Sequence, residues 1–403
     1  MKKLMPAVFV VITILSCADN KNQGTTTPSV EVKMIATPAT DSCAEPYLFT
    51  DKNGLVYLSW TEKNGKESSL KFSVLSKDRW SEPITIASGK NWFVNWADYP
   101  VITSDGNKNL MAHFLEKSDT AKFTYDVKIV HSIDSGKTWS PSKILHDDNV
   151  KAEHGFVSLM PYRNAFFASW LDGRKTAIEK TDGDHSGHHG EMTLRGAILD
   201  ITGNKTGEWE LDNRICDCCQ TGVAMTDNGP VVVYRDRSDD EVRDMSVVRY
   251  VNGEWTRPKT IYPDNWQIKA CPVNGPRISA IGNDLAIAWF SMKDKKGEVK
   301  LVFSRNGGES FGKPVQINEA NTIGRVGVVM LDSTTSMVSW MEGADIKAVK
   351  VHADGTKENF ITIAASSEKR SGGFPQITKT GNQIFFAWTD DKSKTIRVAS
   401  INL

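Results

Sequence analysis

The chain has 403 residues, of which 39% are hydrophobic, enough for a sizeable core. Lysine plus arginine equals aspartate plus glutamate at 49 each, so its charge gives nucleic acid or an anionic membrane surface nothing to hold. No stretch beyond the N-terminus is long and apolar enough to span a bilayer, which leaves a lipid anchor as the expected link to any membrane.

At the N-terminus, Lys2 and Lys3 precede an apolar run from Leu4 to Leu15, followed by Ser16-Cys17. A basic start and a short apolar segment predict an export signal over residues 1–17. The ILSC stretch resembles a bacterial lipobox. That resemblance implies that Cys17 is lipidated and that the mature protein is anchored to a bacterial membrane, at its periplasmic face or at the cell surface. Ordinary secretion with Cys17 incidental is the other reading. The polar run ADNKNQGTTTPS over 18–29 predicts a flexible tether.

From residue 30 onward the chain repeats. Alternating apolar strands end in an aromatic at Trp60, Phe114, Trp170, Tyr234, Trp289, Trp340 and Trp388, spaced by 54, 56, 64, 55, 51 and 48 residues. Each follows a Gly/Asn/Asp turn and an earlier apolar strand, and most lead into a third, such as SLKFSVL or VKLVFSR. Short strands repeating about every 50 residues predict an all-β, single-domain, seven-bladed β-propeller over 30–403. The last repeat has three strands and stops at Leu403, so VEVKMIATP near residues 30–38 is expected to complete its blade and close the ring.

The segment SIDSGKTW, with Ser132, Asp134, Gly136 and Trp139 at its key positions, resembles the Asp box of sialidases and related BNR-repeat propellers; SRNGGESF over 304–311 is a degenerate copy. Its logic is a tight turn in which the aspartate bonds backbone amides, the glycine takes a left-handed dihedral and the tryptophan packs between blades. The resemblance implies a propeller and, as an alternative to seven blades, the six-bladed sialidase ring. It also implies a candidate reaction, hydrolysis of a terminal sialic acid by an exo-α-sialidase. The FRIP motif of that family is absent.

The first strand of each blade lines the channel and begins on the face where the antiparallel second strand ends. Counting back 15 or 16 positions from each aromatic without gaps brings Glu45, Asp98-Tyr99, His154, Cys218-Cys219, Asn274, Arg325 and Gly373 to that face. The loops after the second strands add Asp172, Arg174, Arg235, Arg237 and Glu342. Asp98, His154, Asp172, Arg174, Cys218, Arg235, Arg237 and Arg325 are therefore expected to line one pocket. Solvated loop ends and interblade ion pairs are the plainer reading of the same residues. An insertion carrying Asp184, His185, His188, His189 and Glu191 hangs over this face by register, and such tracts either bind metal or are merely solvated.

Beyond Cys17 the chain holds Cys43, Cys216, Cys218, Cys219 and Cys271. An exported protein defaults to disulfides, and the register makes Cys216–Cys271 a candidate bridge between adjacent blades. The dense run CDCC, with Cys271 in the same set and His154 or the His-rich loop opposite, would instead suit copper as Cu(I) or zinc as Zn(II), although it matches no strong zinc pattern. A redox pair is the third reading.

Sialidase chemistry needs an arginine clamp for the substrate carboxylate, a carboxylic acid, and a tyrosine nucleophile assisted by glutamate. The hub supplies these by type: Arg174, Arg235, Arg237 and Arg325 for the clamp, Asp98 or Asp172 for the acid, and Tyr234 or Tyr99 with Glu342 for the nucleophile. None of them falls on a family motif residue by residue. The leading expectation is a monomer that binds or hydrolyses a glycan or another small anionic ligand. A copper or zinc protein and a non-enzymatic recognition scaffold are the alternatives.

Overall fold

The computed structural model describes residues 30–76, 79–177 and 190–403, together with Met1. The export signal, Cys17, the tether and most of the His-rich insertion lie outside the described residues. Glu31–Leu403 form one compact unit. Regular structure there is almost entirely strand, with two short 3-10 turns at Arg174–Ala177 and Arg370–Gly372. No described helix is long and apolar enough to cross a membrane.

Seven antiparallel sheets form the seven blades, numbered here along the chain by their innermost strand. The innermost strands are Cys43–Thr50, Ile102–Ser104, His154–Tyr162, Gly222–Thr226, Arg277–Ile281, Gly324–Met330 and Gln376–Thr380. The second strands carry the seven repeat aromatics, and all seven are buried. Alternation puts each aromatic in a seam between sheets, where one large side chain excludes more water than any smaller residue could. Most of the aromatics also have a polar handle that finds an acid. Trp170 Nε1 donates to Asp172 at 2.8 Å, Trp289 Nε1 to Asp264 at 2.6 Å, Trp340 Nε1 to Glu342 at 3.1 Å, and the Tyr234 hydroxyl to Asp212 at 2.5 Å.

Blade 7 takes its outer strand from the other end of the chain. Lys33–Ile35 pairs antiparallel with Thr395–Asn402 in the register Lys33–Ser400, Met34–Ala399 and Ile35–Val398. Blades 7 and 1 are then knitted side by side. Thr50 and Thr378 share a hydroxyl contact at 2.7 Å, Thr380 donates to the Gly54 carbonyl at 2.8 Å, and the Cys43 amide reaches the Lys394 carbonyl at 2.8 Å.

The eight-residue turn at Ser132–Trp139 is a hydrogen-bonded knot. Asp134 accepts the Thr138 amide at 2.9 Å and its hydroxyl at 2.6 Å, Gly136 (φ 83) donates to Ser132 Oγ at 2.9 Å, and Trp139 stacks edge-on against Phe72 of blade 1. Ser304, Asn306, Gly308 and Ser310 repeat the pattern in blade 5. The first knot bonds the hairpin turn at Lys108, which puts it at the end of the ring opposite the leading ends of the inner strands.

Removing residues 30–38 deletes the three-residue ladder and bares the edge of Thr395–Asn402. The expected loss is roughly 1–3 kcal/mol, from a few hydrogen bonds worth about 1 kcal/mol each and the partly buried Ile35. Urea unfolding of the truncated chain beside the full chain checks this.

Candidate functional site

The inner strands enclose a channel of about 550 Å³ lined by residues from all seven blades. At the end where these strands begin, the mouth is aromatic on one side. Tyr47 of blade 1 lies 6.3 Å from Tyr99 of blade 2, Tyr99 lies 6.3 Å from Phe374 before blade 7, and Phe374 stacks on Trp96 at 5.5 Å. Arg277 crosses from blade 5. Its guanidinium donates to the Tyr99 hydroxyl and to the Pro276 carbonyl, and sits 5.9 Å from the Tyr99 ring and 6.0 Å from the Phe374 ring. No carboxylate pairs with Arg277 among the described residues, although it is only partly exposed.

Beside this floor lies a set of buried acids. Asp98 lines the channel; its Oδ1 accepts the Phe156 amide at 2.7 Å, and its Oδ2 lies 3.2 Å from the Tyr125 hydroxyl. The same hydroxyl is 2.8 Å from Glu153 Oε1. One hydroxyl has one proton to give, so a second proton must sit on Asp98 or Glu153 for both contacts to be hydrogen bonds. The titration directions agree. Burial pushes Asp98 well above the usual carboxylate range and Glu153 up to about 7. Burial also lifts Glu45, at the mouth of blade 1, to about 7. Gly155 is required here, because a Cβ would fall 2.1 Å from Asp98 Oδ2.

Of the eight residues expected in one pocket, only Asp98 lines the channel. The second-strand ends lie one strand out from it, and their charges turn into the seams between blades. Arg235 is buried and donates to the carbonyls of Asn274 (2.8 Å), Arg243 (2.7 Å) and Phe290 (2.6 Å), with the Trp266 ring 4.8 Å away. Arg325 is buried too, donating to the carbonyls of Gly373 (2.9 Å), Glu368 (2.9 Å) and Lys369 (3.0 Å); burial lowers it to about 10. Arg174 is held by Asp172, Asp148 and Glu208, and Arg237 by Glu241 and Asp217. The four-arginine clamp is therefore overturned, because every one of these guanidiniums is committed within the protein.

The same contacts correct the catalytic set. Asp172 and Glu342 hold the indoles of Trp170 and Trp340. Tyr234, in blade 4, is buried against Asp212 of blade 3, while Glu342, in blade 6, also accepts the Ala320 amide at 2.8 Å. Burial raises the Tyr234 hydroxyl well above its usual range, the wrong direction for a nucleophile. Tyr99 and Asp98 remain at the channel. Arg277 was missed because the gap-free count stopped at Asn274. The signal that finds it is the two-residue Gly282-Asn283 turn, which pairs Ile281 with Asp284 and so Arg277 with Ala288.

His154 also moves out of the cysteine set. Its Nε2 lies 2.9 Å from Asp148 and 3.7 Å from Asp172, and its ring stacks on His146 at 3.6 Å. With Arg174 and Asp126 this forms a connected polar cluster inside blades 2 and 3. Although burial opposes ionisation, His154 and the Val150 amide hold Asp148 well below the usual range. Glu191, from the end of the His-rich insertion, pairs with Arg214 at 3.1 Å.

The cysteines do gather. Cys216 Sγ lies 3.1 Å from Cys219 and 4.0 Å from Cys218, and the Cys271 thiol reaches Cys218. No disulfide joins the described cysteines, so the Cys216–Cys271 bridge is not present. Cys216 and Cys219 stand at C-x-x-C spacing, which the density of the run obscures. Cys43 is apart from them, in blade 1.

No protein-family model matches the chain, and no curated protein matches its sequence. Among solved structures, an ulvan lyase bound to -[GlcA(1-4)Rha3S]- is similar at a TM-score of 0.58 and 11% identity, over 91% of this chain and 95% of that one. The NanB sialidase from Streptococcus pneumoniae matches at a TM-score of 0.45 and 8% identity, over 92% of this chain and 94% of that one. A Hadza microbial sialidase matches at 0.43 and 11% identity, with 75% of this chain spanning 63% of that one. The lyase shares the propeller fold.

Two measurements follow from the site. Replacing Arg235 by Ala strands carbonyls at Asn274 and Phe290 in a buried seam and should destabilise the fold by at least about 3 kcal/mol, seen as an early denaturant midpoint. Glu45 gives a pH dependence. Its folded carboxyl keeps a proton that the unfolded chain releases, so its contribution is most favourable below about 4.5 and is lost as pH rises towards about 7. Glu45→Gln should flatten the fall in stability between pH 5 and pH 8 and leave the variant more stable at pH 8 by roughly 1–3 kcal/mol.

Proposed function

We propose that the channel mouth binds an anionic saccharide, with Arg277 pairing its carboxylate or sulfate and Tyr47 and Tyr99, which line the channel, taking the apolar face of a sugar ring. The observation that carries this reading is Arg277 itself. It is a guanidinium laid across a seven-walled channel, braced by two aromatic rings and one hydroxyl, with no acidic partner among the described residues. Guanidinium matches carboxylate and sulfate oxygens bidentately, and partial burial strengthens such a contact. Flat aromatic walls beside a fixed charge select a ring that carries an acidic group.

The mouth also holds what proton transfer to a glycosidic oxygen would use, since Asp98 lines the channel and burial favours its protonated form. Asp98 is nonetheless tied to the Phe156 amide and the Tyr125 hydroxyl, and the other carboxylate lining the channel, Asp51, follows the far end of the blade 1 inner strand. Recognition is therefore the function we assign, with Asp98 as the residue to probe if cleavage is observed.

Calorimetric titration with oligosaccharides carrying uronate, sulfate or sialic acid, beside neutral ones, tests the reading. Wild-type protein should bind an acidic member of the panel. Arg277→Ala should lose on the order of 2 kcal/mol, about thirtyfold in affinity, with an unchanged melting temperature. Equal binding of neutral and acidic sugars, or no effect of Arg277→Ala, would overturn it.

A further inference from the structure

Independently of the channel ligand, we infer that Cys216, Cys218 and Cys219 form an all-sulfur site for a soft monovalent metal ion, Cu(I), on the rim where blade 3 passes into blade 4. The three Sγ atoms lie within 4.8 Å of one another, the spread that a single ion can bridge. Two of them, Cys216 and Cys219, are almost fully buried, and Cys218 is partly buried. Nothing in the packing of a propeller needs three thiols in four residues. Small apolar side chains would fill the same volume, and three adjacent sulfurs that are neither bridged nor ligating are exposed to oxidation.

The surroundings favour anionic sulfur. Cys216 Sγ lies 3.1 Å from Cys219 Sγ and 4.0 Å from Cys218 Sγ, and the guanidiniums of Arg243 and Arg235 stand beside it. Arg243 is itself buried, and its Nη1 finds no oxygen acceptor among the described residues. Three thiolates around one monovalent ion carry two negative charges; Arg235, whose hydrogen bonds go only to neutral carbonyls, offsets one, and Arg243, which Glu241 already pairs, offsets the other in part. The backbone is fixed as well. The Cys216 amide donates to the Arg235 carbonyl at 3.0 Å, and next to Cys219 the Gln220 side chain spans the Ala97 carbonyl (2.7 Å) and the Gly275 amide (3.0 Å). The sulfurs are thus pinned between blades 4, 5 and 2.

Donor type and number select the ion. Thiolates alone are the ligands of soft ions, and Cu(I) accepts three of them without a water. Zn(II) asks for four ligands in a tetrahedron. The fourth sulfur within reach is Cys271, which is exposed and contacts Cys218 rather than the buried pair. Its contribution therefore separates the two ions.

The test is anaerobic titration of reduced, metal-free protein with Cu(I) against a chromophoric Cu(I) chelator, with Zn(II) in parallel. Wild type should withhold one Cu(I) per chain from the chelator. Cys216→Ser and Cys219→Ser should each lose at least a hundredfold in Cu(I) affinity, whereas Cys271→Ser should change it less than threefold. X-ray absorption of the loaded protein should show sulfur alone around copper. Should a buried substitution unfold the ring, Cys218→Ser, at the least buried of the three positions, gives the same reading in a folded chain. The inference is overturned if the reduced wild type yields all its Cu(I) to the chelator. It is equally overturned if Cys218→Ser binds Cu(I) as wild type does, or if Zn(II) binds more tightly than Cu(I) and depends on Cys271.

Discussion

Seven separate sheets become one ring only if the seams between them are dry and still satisfy every backbone group that enters them. The inner ends of the blades are the hard part, because the chain there leaves a strand, crosses to the next blade and turns inward with its carbonyls unpaired. Buried arginines solve this at two places. Arg235, at the end of a second strand in blade 4, donates to Asn274 and Phe290 in the approach and body of blade 5. Arg325, at the start of blade 6, donates to the loop carbonyls of Glu368, Lys369 and Gly373 that lead into blade 7. A guanidinium carries five donors in one plane, so a single side chain can collect carbonyls from two segments and hold them in register. The cost of burying the charge is met by those carbonyls and by the faces of Trp266 and Trp96.

Strain gathers at the same end. In blades 1, 3 and 6 the inner strand bulges just past its start, and Glu45 (φ 58), Phe156 (φ 53) and Arg325 (φ 53) occupy the left-handed region there. None of the three is glycine, so each bulge is held against a local preference by its surroundings. Phe156 is held by its amide on Asp98, and Arg325 by its amide on Asn274 Oδ1 at 2.7 Å as well as by its guanidinium. A bulge re-aims the side chains on either side of it. In blade 3 it exposes the Phe156 amide to Asp98, which is what fixes that carboxyl in the wall of the channel. Backbone irregularity, a buried acid and the mouth's shape are thus one structural fact.

The ring was legible because one constraint repeats. A strand ending in a buried aromatic recurs seven times, and its period survives loop-length changes, so blade number, strand polarity and the face on which loops gather follow from Trp60 through Trp388 alone. The site was less legible, and the reason is physical. Polarity at a loop end does not say whether a side chain faces the channel or the seam, and at Arg174, Arg235, Arg237 and Arg325 the seam wins because carbonyls and carboxylates are waiting there. A count without gaps also fails wherever a bulge or a shortened hairpin shifts register, which hid Arg277 behind Asn274. Cysteine positions fared better. The loop between Asp212 and Gly222 is short and tethered at both ends, so Cys216, Cys218 and Cys219 had little room to part.

Rigidity also accounts for how the mouth can keep an arginine that has no acidic partner among the described residues. A mobile loop would let Arg277 swing to the nearest carboxylate, and Asp98 and Glu45 both lie on this face. The inner strand of blade 5 instead begins at Arg277 and pairs at once with Ala288, and the rings of Tyr99 and Phe374 brace the guanidinium from the opposite wall. Asp98 is itself buried deeply enough to favour its neutral form, and Glu45 is raised to about 7, so the attraction that would collapse the site is weakened at neutral pH. A positive charge held in place beside a neutral Asp98 and flat rings is an electrostatic surface that solvent cannot imitate and an anionic ring can complete.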